Sequence, residues 1–322
     1  MRALVTGATG FVGSHLVEAL RSGGHHVAAL VRTPGKAAAL TALGVEQVRG
    51  ELSDRDALAR AAEGRDAIFH VAGLTAAVDE AGYLRANQDG TRALLEAAER
   101  AGAGRFVYVS SMAAAGPAAR GRPLTGSEPE APVTAYGRSK LAGESAVRES
   151  RLAWTIVRPP MVYGPRDREV LKVFQLARLG LAPVFGDGTQ ELSAVHAADL
   201  AGALVAAAAT PGTAGATYYA CHPEIFTSEA FVRAVGGAAG KRVTVLRIPP
   251  AVGRVALAGA GAAARVAGRA TILNADKANE FFQPAWTGDP APLTRATGWR
   301  ATHDLASGLA HTWQWYRSSG WL

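Results

Sequence analysis

The stretch Thr6-Gly7-Ala8-Thr9-Gly10-Phe11-Val12-Gly13 decides the fold of this chain. It follows an apolar run and precedes an amphipathic run, so it predicts a turn between a buried strand and a helix. The three glycines allow a tight turn, close approach of a pyrophosphate and close packing of the helix on the strand. Free N–H groups at the helix N-terminus would bind the phosphates, so we predict a dinucleotide site. The expected contacts are Gly7, Thr9, Gly10, Phe11, Val12 and Gly13.

The rest of the first half alternates short apolar runs with amphipathic runs. Buried strands are predicted at residues 2–6, 26–31, 67–71, 105–110 and 153–157, and helices at 12–21, 34–43, 54–62, 84–101 and 134–150. This alternation predicts an α/β fold with a Rossmann-type, doubly wound parallel sheet. We expect residues 1–165 to form mainly the dinucleotide-binding domain and 166–322 mainly a smaller C-terminal substrate-binding lobe. Residues from about 190 to 220 should return to the sheet.

The composition is that of an ordinary globular enzyme. The chain has 322 residues, a net charge of +7 and one cysteine, Cys221, so no disulfide can form within it. We expect no metal site and a reducing, cytoplasmic location. The basic residues are scattered, which argues against a nucleic-acid partner. Residues 251–268 are mostly Ala and Gly with two arginines, so we predict a helix packed on the protein or over a substrate, and no integral membrane segment.

The end of the second predicted strand bears on which nicotinamide dinucleotide is bound. An NAD-type site usually has an acidic residue here, which binds the ribose hydroxyls. This chain has Arg32 at that position and Lys36 four residues later. A guanidinium binds a 2′-phosphate and stacks on adenine, so we predict that NADP(H) is favoured and that NAD(H) is possible. The alternative is a solvated arginine at a strand end.

A second pattern concerns proton transfer. Tyr136 and Lys140 are four residues apart in a predicted helix, so their side chains share one face. An ammonium group beside a phenol favours the phenolate and lowers its pKa from about 10. Ser111 precedes this pair, at the end of an apolar run. Together the three residues indicate a site that exchanges a proton with an oxygen atom of a small molecule.

Ordered motifs along most of the chain resemble those of the extended short-chain dehydrogenase/reductases, an epimerase/dehydratase-like family. Besides the glycine loop they are His70-Val71-Ala72-Gly73, Asn87-Gln88-Asp89-Gly90-Thr91, Tyr108-Val109-Ser110-Ser111, Tyr136-x-x-x-Lys140, Arg158-Pro159-Pro160-Met161-Val162-Tyr163-Gly164-Pro165 and Val195-His196-Ala197-Ala198-Asp199-Leu200. The resemblance implies hydride exchange between a nicotinamide and a carbonyl or carbinol carbon. Tyr136 would be the general acid or base, Ser111 would orient the substrate oxygen, and Lys140 would bind the nicotinamide ribose. Further implied cofactor contacts are Glu51, Leu52, Ala72, Gly73, Asn87, Pro159 and Val162.

Three departures narrow the reaction that this resemblance implies. The family's sugar-nucleotide dehydratases carry Thr-Asp-Glu where this chain has Ser111-Met112-Ala113, so the acid and base for elimination are missing. Its nucleotide-sugar enzymes usually have an arginine at the position of Leu192, where it binds the substrate pyrophosphate. Arg32 stands in place of the acid of NAD-dependent members. The differences favour members similar to dihydroflavonol reductases and 3β-hydroxysteroid dehydrogenases, which act on less polar ketones and alcohols.

We therefore predict an NADP(H)-dependent oxidoreductase that acts on a ketone or secondary alcohol of a moderately apolar small molecule. A nucleotide-sugar epimerase is one alternative, and a non-catalytic protein that senses NADP(H) is another. Substrate contacts are expected from Met112, Ala113, Met161 and Tyr163, although a packing role also explains Tyr163. The resemblance implies a homodimer formed through the helices at 84–101 and 134–150.

Overall fold

The computed structural model describes residues 1–34 and 37–322. Its strands are β1 (Arg2–Thr6), β2 (His26–Val31), β3 (Glu46–Arg49), β4 (Ala67–His70), β5 (Arg105–Val109), β6 (Trp154–Arg158), β7 (Met161–Tyr163), β8 (Leu181–Phe185), β9 (Glu191–Leu192), β10 (Ala194–His196), β11 (Ala216–Tyr219), β12 (Phe226–Thr227), β13 (Thr244–Ile248) and β14 (Ala285–Trp286). Its helices are α1 (Phe11–Ser22), α2 (Ala38–Ala42), α3 (Arg55–Ala62), α4 (Glu80–Leu84), α5 (Gly90–Arg100), α6 (Met112–Ala115), α7 (Ala135–Glu149), α8 (Glu169–Arg178), α9 (Ala197–Ala209), α10 (Ser228–Ala238), α11 (Pro250–Val266), α12 (Ala278–Phe281), α13 (Ala291–Thr297) and α14 (Leu305–Ser318).

The main sheet has seven parallel strands in the order β11-β6-β5-β4-β1-β2-β3. The predicted α/β, doubly wound parallel architecture is confirmed. Thr6, at the carboxyl end of β1, pairs with Leu30 of β2 and His70 of β4. The chain winds outward from β1 in both directions, so a crevice opens at the carboxyl ends of β1 and β4, where ligands bind in such sheets.

Helices cover both faces of this sheet and form two apolar layers. One layer packs α1 and α9 on the sheet through residues such as Leu16, Leu20 and Leu204. The other layer packs α3, α5 and α7 through residues such as Leu58, Leu94 and Val147. The central strands are buried on both faces, which explains their near-continuous apolar sequences.

Several elements differ from the sequence-based expectation, and the helix expected at 34–43 is found as the shorter α2 (Ala38–Ala42). Strand β3 was not predicted, because its residues Glu46–Arg49 are largely polar and lie at the edge of the sheet. The helix expected at 84–101 is divided, since a π-helical turn at Arg85–Asp89 lies between α4 and α5. A π turn rotates the residues that follow it, and such turns are frequent at functional sites.

The second half of the chain adds three small sheets and several helices. Phe174 of α8 is at the centre of a third apolar cluster, which includes Val235 of α10 and Tyr316 of α14. Residues 251–268 lie almost entirely in α11, which is helical as expected. Within the residues that the structure describes, no helix is long and apolar enough to cross a membrane.

Candidate active site

The glycine loop packs too closely for larger residues. Gly7 has a φ of +72°, and a Cβ on it would lie 2.7 Å from the backbone nitrogen of Ala72. A Cβ on Gly13 would lie 2.1 Å from the carbonyl oxygen of Gly7, so α1 contacts the loop directly. Helix α1 starts after Gly10, with no side-chain cap and no acidic residue in its first turn. Its N–H groups are therefore left for an anion, which fits the pyrophosphate of a dinucleotide.

The end of β2 places a positive charge at the carboxyl edge of the main sheet. Arg32 directly follows β2 and is exposed. The neighbouring strand end is held beside it, since the Gly50 N–H donates to the Val31 carbonyl oxygen (3.0 Å). Glu51 follows there and accepts a hydrogen bond from Ser53 (2.7 Å). Lys36 lies outside the described residues.

Asn87 organises the end of β4. It is buried within the π-helical turn, and its amide donates to Ser139 (2.9 Å) and to the Leu74 carbonyl oxygen (3.0 Å). Its Oδ1 accepts from the Leu74 N–H (2.8 Å). A Cβ on Gly73 would meet this Oδ1 at 2.9 Å. The side-chain amide of Asn87 therefore ties the segment with Ala72 and Gly73 to helix α7.

Ser111 and Tyr136 come together because α6 and α7 pack without a side chain between them. Ser111 caps α6 and accepts a hydrogen bond from the Ala113 N–H (3.1 Å). A Cβ on Gly137 would lie 2.3 Å from the Ala113 carbonyl oxygen. Burial raises the pKa of Tyr136 to about 12, and a hydrogen bond with Ser111 acts in the opposite direction. At neutral pH the phenol is therefore protonated.

Lys140 lies beneath this pair and is buried. Its ammonium donates to the Val109 carbonyl oxygen (2.8 Å) and lies 4.3 Å from the centroid of the Tyr108 ring. Burial lowers the pKa of Lys140 to about 7. The expected lowering of the Tyr136 pKa by Lys140 is not found in this arrangement, because burial raises this pKa and the main opposing contact is with Ser111.

Sequence inspection missed an ion pair below the site. Arg158 of β6 and Glu144 of α7 are both buried and hydrogen-bonded to each other. Ser110 also donates to Glu144 (2.5 Å). Glu144 is one helical turn beyond Lys140, so the pair fixes α7 on the sheet. The sequence feature that could have indicated this ion pair is Arg158, a charged residue at the end of an apolar strand.

The start of α7 is also held from the second half of the chain. The Ala135 N–H donates to Asp276 (2.7 Å), and Thr134 donates to Glu280 (2.8 Å). Carboxylates at a helix N-terminus are stabilising, because they complement the helix dipole. Asp276 and Glu280 thus bind the two residues directly before Tyr136. Their local sequence did not predict that they would hold the start of α7.

The other residues that were predicted to contact the cofactor or the substrate are partly or fully buried around the site. Pro159 is buried and its carbonyl oxygen accepts from the Met112 N–H (2.9 Å), which sets the β6–β7 turn beside Ser111. Met161 and Val162 of β7 are partly exposed. Leu52 packs on the second apolar layer, and Met112 and Ala113 are buried. Tyr163 is buried in the third apolar cluster and donates to the Asp304 carbonyl oxygen (3.1 Å), which favours its packing role.

Three histidines form a stack at the start of α9. The ring nitrogens of His196, His303 and His311 lie within 4.8 Å of one another. The ring of His303 is within 22° of parallel to both others, so the in-plane lone pairs do not converge on one ion. Asp199 binds His303 through both the backbone N–H (2.9 Å) and the ring (3.1 Å). The stack joins the C-terminal segment to α9.

Comparison with known proteins agrees with this geometry. The model of the NAD dependent epimerase/dehydratase family matches residues 3–221. The chain belongs to this family. It is thus a nicotinamide-dependent enzyme of the extended short-chain dehydrogenase/reductase type. The matched residues include the glycine loop, Ser111, Tyr136 and Lys140. The glycine loop and the free N–H groups at the start of α1 fit the pyrophosphate of a nicotinamide dinucleotide.

Individual relatives differ in the reactions that their names describe. A ceramide reductase of Caulobacter vibrioides is 37% identical over 99% of this chain and 95% of its own length. A 2-alkyl-3-oxoalkanoate reductase of Stenotrophomonas maltophilia is 32% identical over 70% and 71%. A Thermus thermophilus UDP-glucose 4-epimerase, solved in complex with NAD, is 25% identical, covers 99% of this chain and 100% of its own, and has a TM-score of 0.79.

Proposed function

We propose that this enzyme reduces a ketone on a lipid-like molecule that carries long alkyl chains, with NADPH as the reductant. The observation that carries the proposal is that the buried phenol of Tyr136 lies beside Ser111, with Lys140 one helical turn further along the same face of α7. When bound, the reduced nicotinamide supplies the hydride to the carbonyl carbon. Tyr136 gives its proton to the carbonyl oxygen, so the products are a secondary alcohol and the oxidised cofactor.

The pKa values favour the reducing direction. A phenol with a pKa of about 12 is a proton donor at neutral pH, as ketone reduction requires. Lys140, with a pKa of about 7, exists in both protonation states near neutral pH. It can return a proton toward Tyr136 after the transfer, as one step of a relay. Ser111 orients the substrate oxygen on the phenol.

The preference for NADPH is inferred from Arg32. This exposed guanidinium lies at the carboxyl end of β2, where an acid would repel a 2′-phosphate. Lys36 would add a second positive charge, and Glu51 follows the neighbouring strand. Arginine recognises phosphate through a planar pair of donors, which supports NADPH over NADH.

The substrate class is inferred from the residues around Ser111 and from the relatives. Met112 and Ala113 leave no acid or base for dehydration, and Leu192 leaves no guanidinium for a substrate pyrophosphate. A 3-oxoalkanoate and a ceramide both carry alkyl chains, and the enzymes named for them resemble this chain over most of its length. We therefore favour a ketone on an alkyl-chain molecule over a nucleotide sugar.

A cofactor assay tests the proposal. The enzyme is incubated with NADPH or NADH and a panel of ketones that includes long-chain 3-oxo esters, and loss of reduced cofactor is compared with alcohol formed. Equal amounts of both support the proposal. Epimerised UDP-sugar without net cofactor loss would establish the epimerase alternative, and binding of NADPH without turnover of any ketone or sugar would establish the sensing protein.

The proposed homodimer would use α5 and α7, which carry the expected contact regions. Sedimentation equilibrium of the purified enzyme tests this part. A single species with twice the mass of the chain supports it, and a monomer at all concentrations rules it out.

A further inference from the structure

Helix α11 exposes an apolar stripe to solvent. Val252, Val255 and Val266 are 58%, 74% and 91% exposed. With Gly259 and Ala262 between them, their spacing of three and four residues places them on one face. The opposite face is attached to the protein through buried Gly253 and Leu257. We call the exposed stripe, with its flanking arginines Arg254, Arg265 and Arg269, the α11 surface.

More exposed apolar side chains lie on the sheet that supports the start of α11. Leu181 of β8 and Leu246 of β13 are exposed on the same face of this two-stranded ribbon. Phe185 lies at the end of β8 on that face, and an ideal Cβ on Gly253 would lie 3.0 Å from its ring. Large exposed aliphatic residues are thus concentrated around one helix, and a contiguous patch of this kind usually marks an interaction surface.

The charge of this region has a single sign. Residues 241–275 contain no acidic residue and six basic ones, Lys241, Arg242, Arg247, Arg254, Arg265 and Arg269. Arg247 pairs with Glu229 from outside the segment (2.8 Å). Like charges on two copies would repel each other, whereas an anionic partner is attracted. The combination of exposed valines and arginines on one helix is typical of helices that lie in a membrane interface.

We propose that the α11 surface docks on an anionic lipid bilayer, with the helix parallel to the membrane plane. The valines enter the boundary between headgroups and acyl chains, and the arginines contact phosphate groups of the lipids. The helix has 17 residues and does not span the bilayer. Because the headgroup attraction is electrostatic, docking weakens as salt is raised.

The docked surface leads to the reacting groups. A cavity of about 310 Å³ lies between the C-terminal half of α11 and the start of α7, bordered by Gly261, Arg265, Tyr83 and Ala135. The ring of Tyr83 is 6.0 Å from that of Tyr136. Asp79, Glu80, Arg138, Arg269 and Asp276 also line this cavity, so the polar end of a bilayer-held ketone would approach Tyr136 along this side. This loading route rests on the proposed function, whereas the docking itself does not.

Vesicle sedimentation tests the docking. The full-length enzyme is mixed with phosphatidylcholine vesicles that contain about one third phosphatidylglycerol, or with pure phosphatidylcholine vesicles. We expect binding to the anionic vesicles alone, and about a tenfold or greater loss of partitioning for Val252→Glu/Val255→Glu and for Arg265→Glu/Arg269→Glu. Ile225→Glu is the control for added charge, because it adds one negative charge, half of that in the valine double variant, at an exposed aliphatic residue elsewhere and should bind like wild type.

The outcomes separate docking from catalysis. Absence of binding to anionic vesicles, equal binding to neutral ones, or wild-type binding by both double variants overturns the docking proposal. So does a dimer that Val252→Glu/Val255→Glu converts to a monomer, since the stripe would then cover itself. If docking holds, Val252→Glu/Val255→Glu should lose reduction of a vesicle-embedded ketone but keep that of a short, water-soluble one. If no ketone is reduced by wild type, the proposed function fails and the docking result stands.

Discussion

The guanidinium of Arg158 donates two hydrogen bonds to the carboxylate of Glu144, one from Nε at 2.8 Å and one from Nη2 at 2.6 Å. Both side chains are buried. Burial alone would lower the pKa of Arg158, but the carboxylate holds it above its usual value. The pair joins the end of β6 to the middle of α7, so it positions the helix that carries Tyr136 and Lys140.

Breaking this pair should destabilise the fold strongly. Arg158→Met removes the buried guanidinium and leaves Glu144 with Arg148 (2.7 Å) and Ser110 (2.5 Å), so the loss in the free energy of unfolding should approach the ~3–5 kcal/mol of a broken buried pair. Urea unfolding measures this cost. The control is Arg92→Met, because the Arg92–Glu149 pair (3.7 Å) is exposed and should contribute less than about 1 kcal/mol. Similar losses in the two variants would contradict the assigned role of Arg158.

Tyr136→Phe should abolish turnover and leave cofactor binding intact. The substitution removes the proton donor and keeps the ring, so we expect a loss of about 10²–10⁴-fold in kcat. The thermal shift caused by NADPH should be unchanged. Tyr218→Phe, which removes a hydroxyl from β11, should retain normal activity. A Tyr136→Phe enzyme with wild-type kcat would exclude the phenol as the donor.

Arg32→Asp should exchange the cofactor preference. A carboxylate repels the 2′-phosphate and accepts hydrogen bonds from the ribose hydroxyls of NADH. Titration should show a Kd for NADPH raised by about tenfold or more and a lower Kd for NADH. Arg60→Asp, on the exposed side of α3, makes the same charge change elsewhere and should alter neither. The idea is wrong if wild type already binds both cofactors equally tightly.

Gly13→Ala should disrupt the cofactor loop. Its Cβ would lie 2.1 Å from the Gly7 carbonyl oxygen, so the loop or α1 must move, at a cost of about 1–3 kcal/mol. NADPH affinity should fall with it. Gly237→Ala is a matched control, because it lies in α10 with no atom near its Cβ and should be neutral or slightly stabilising. Equal stabilities would show that the loop tolerates a side chain.

Stability should fall as the pH drops below about 6.5. Burial lowers the pKa of His70 to about 3 in the folded protein, where Thr6 and Thr91 contact its ring nitrogens. Below pH 6.5 the unfolded chain binds a proton that the folded chain does not, so unfolding gains about 1.4 kcal/mol per pH unit from this residue. His70→Gln should reduce the pH dependence of urea unfolding by about one proton between pH 6 and pH 4. An unchanged slope would contradict the assignment.

The parts that the sequence predicted are those with local signals. The glycine loop, the apolar strands and the Tyr136–Lys140 pair are each formed by residues that are close in the sequence. Their spacing alone therefore predicts their structure. The Arg158–Glu144 pair and the hydrogen bond from Ala135 to Asp276 join residues from distant elements, and only the folded sheet brings them together. The pKa of Tyr136 was misjudged for the same reason, because burial depends on tertiary packing. Strand β3 was missed because an edge strand needs few apolar residues.

The hydrogen bonds from Thr134 and Ala135 to the two acids near residue 280 have a consequence for building chimeras. Grafting a foreign second half onto residues 1–165 would remove the two carboxylates that hold the first turn of α7. Such a hybrid would keep the glycine loop but would lose the alignment of the Tyr136 phenol. A chimera meant to change specificity should therefore keep the native residues 276–280. Only the other residues of the second half should be exchanged.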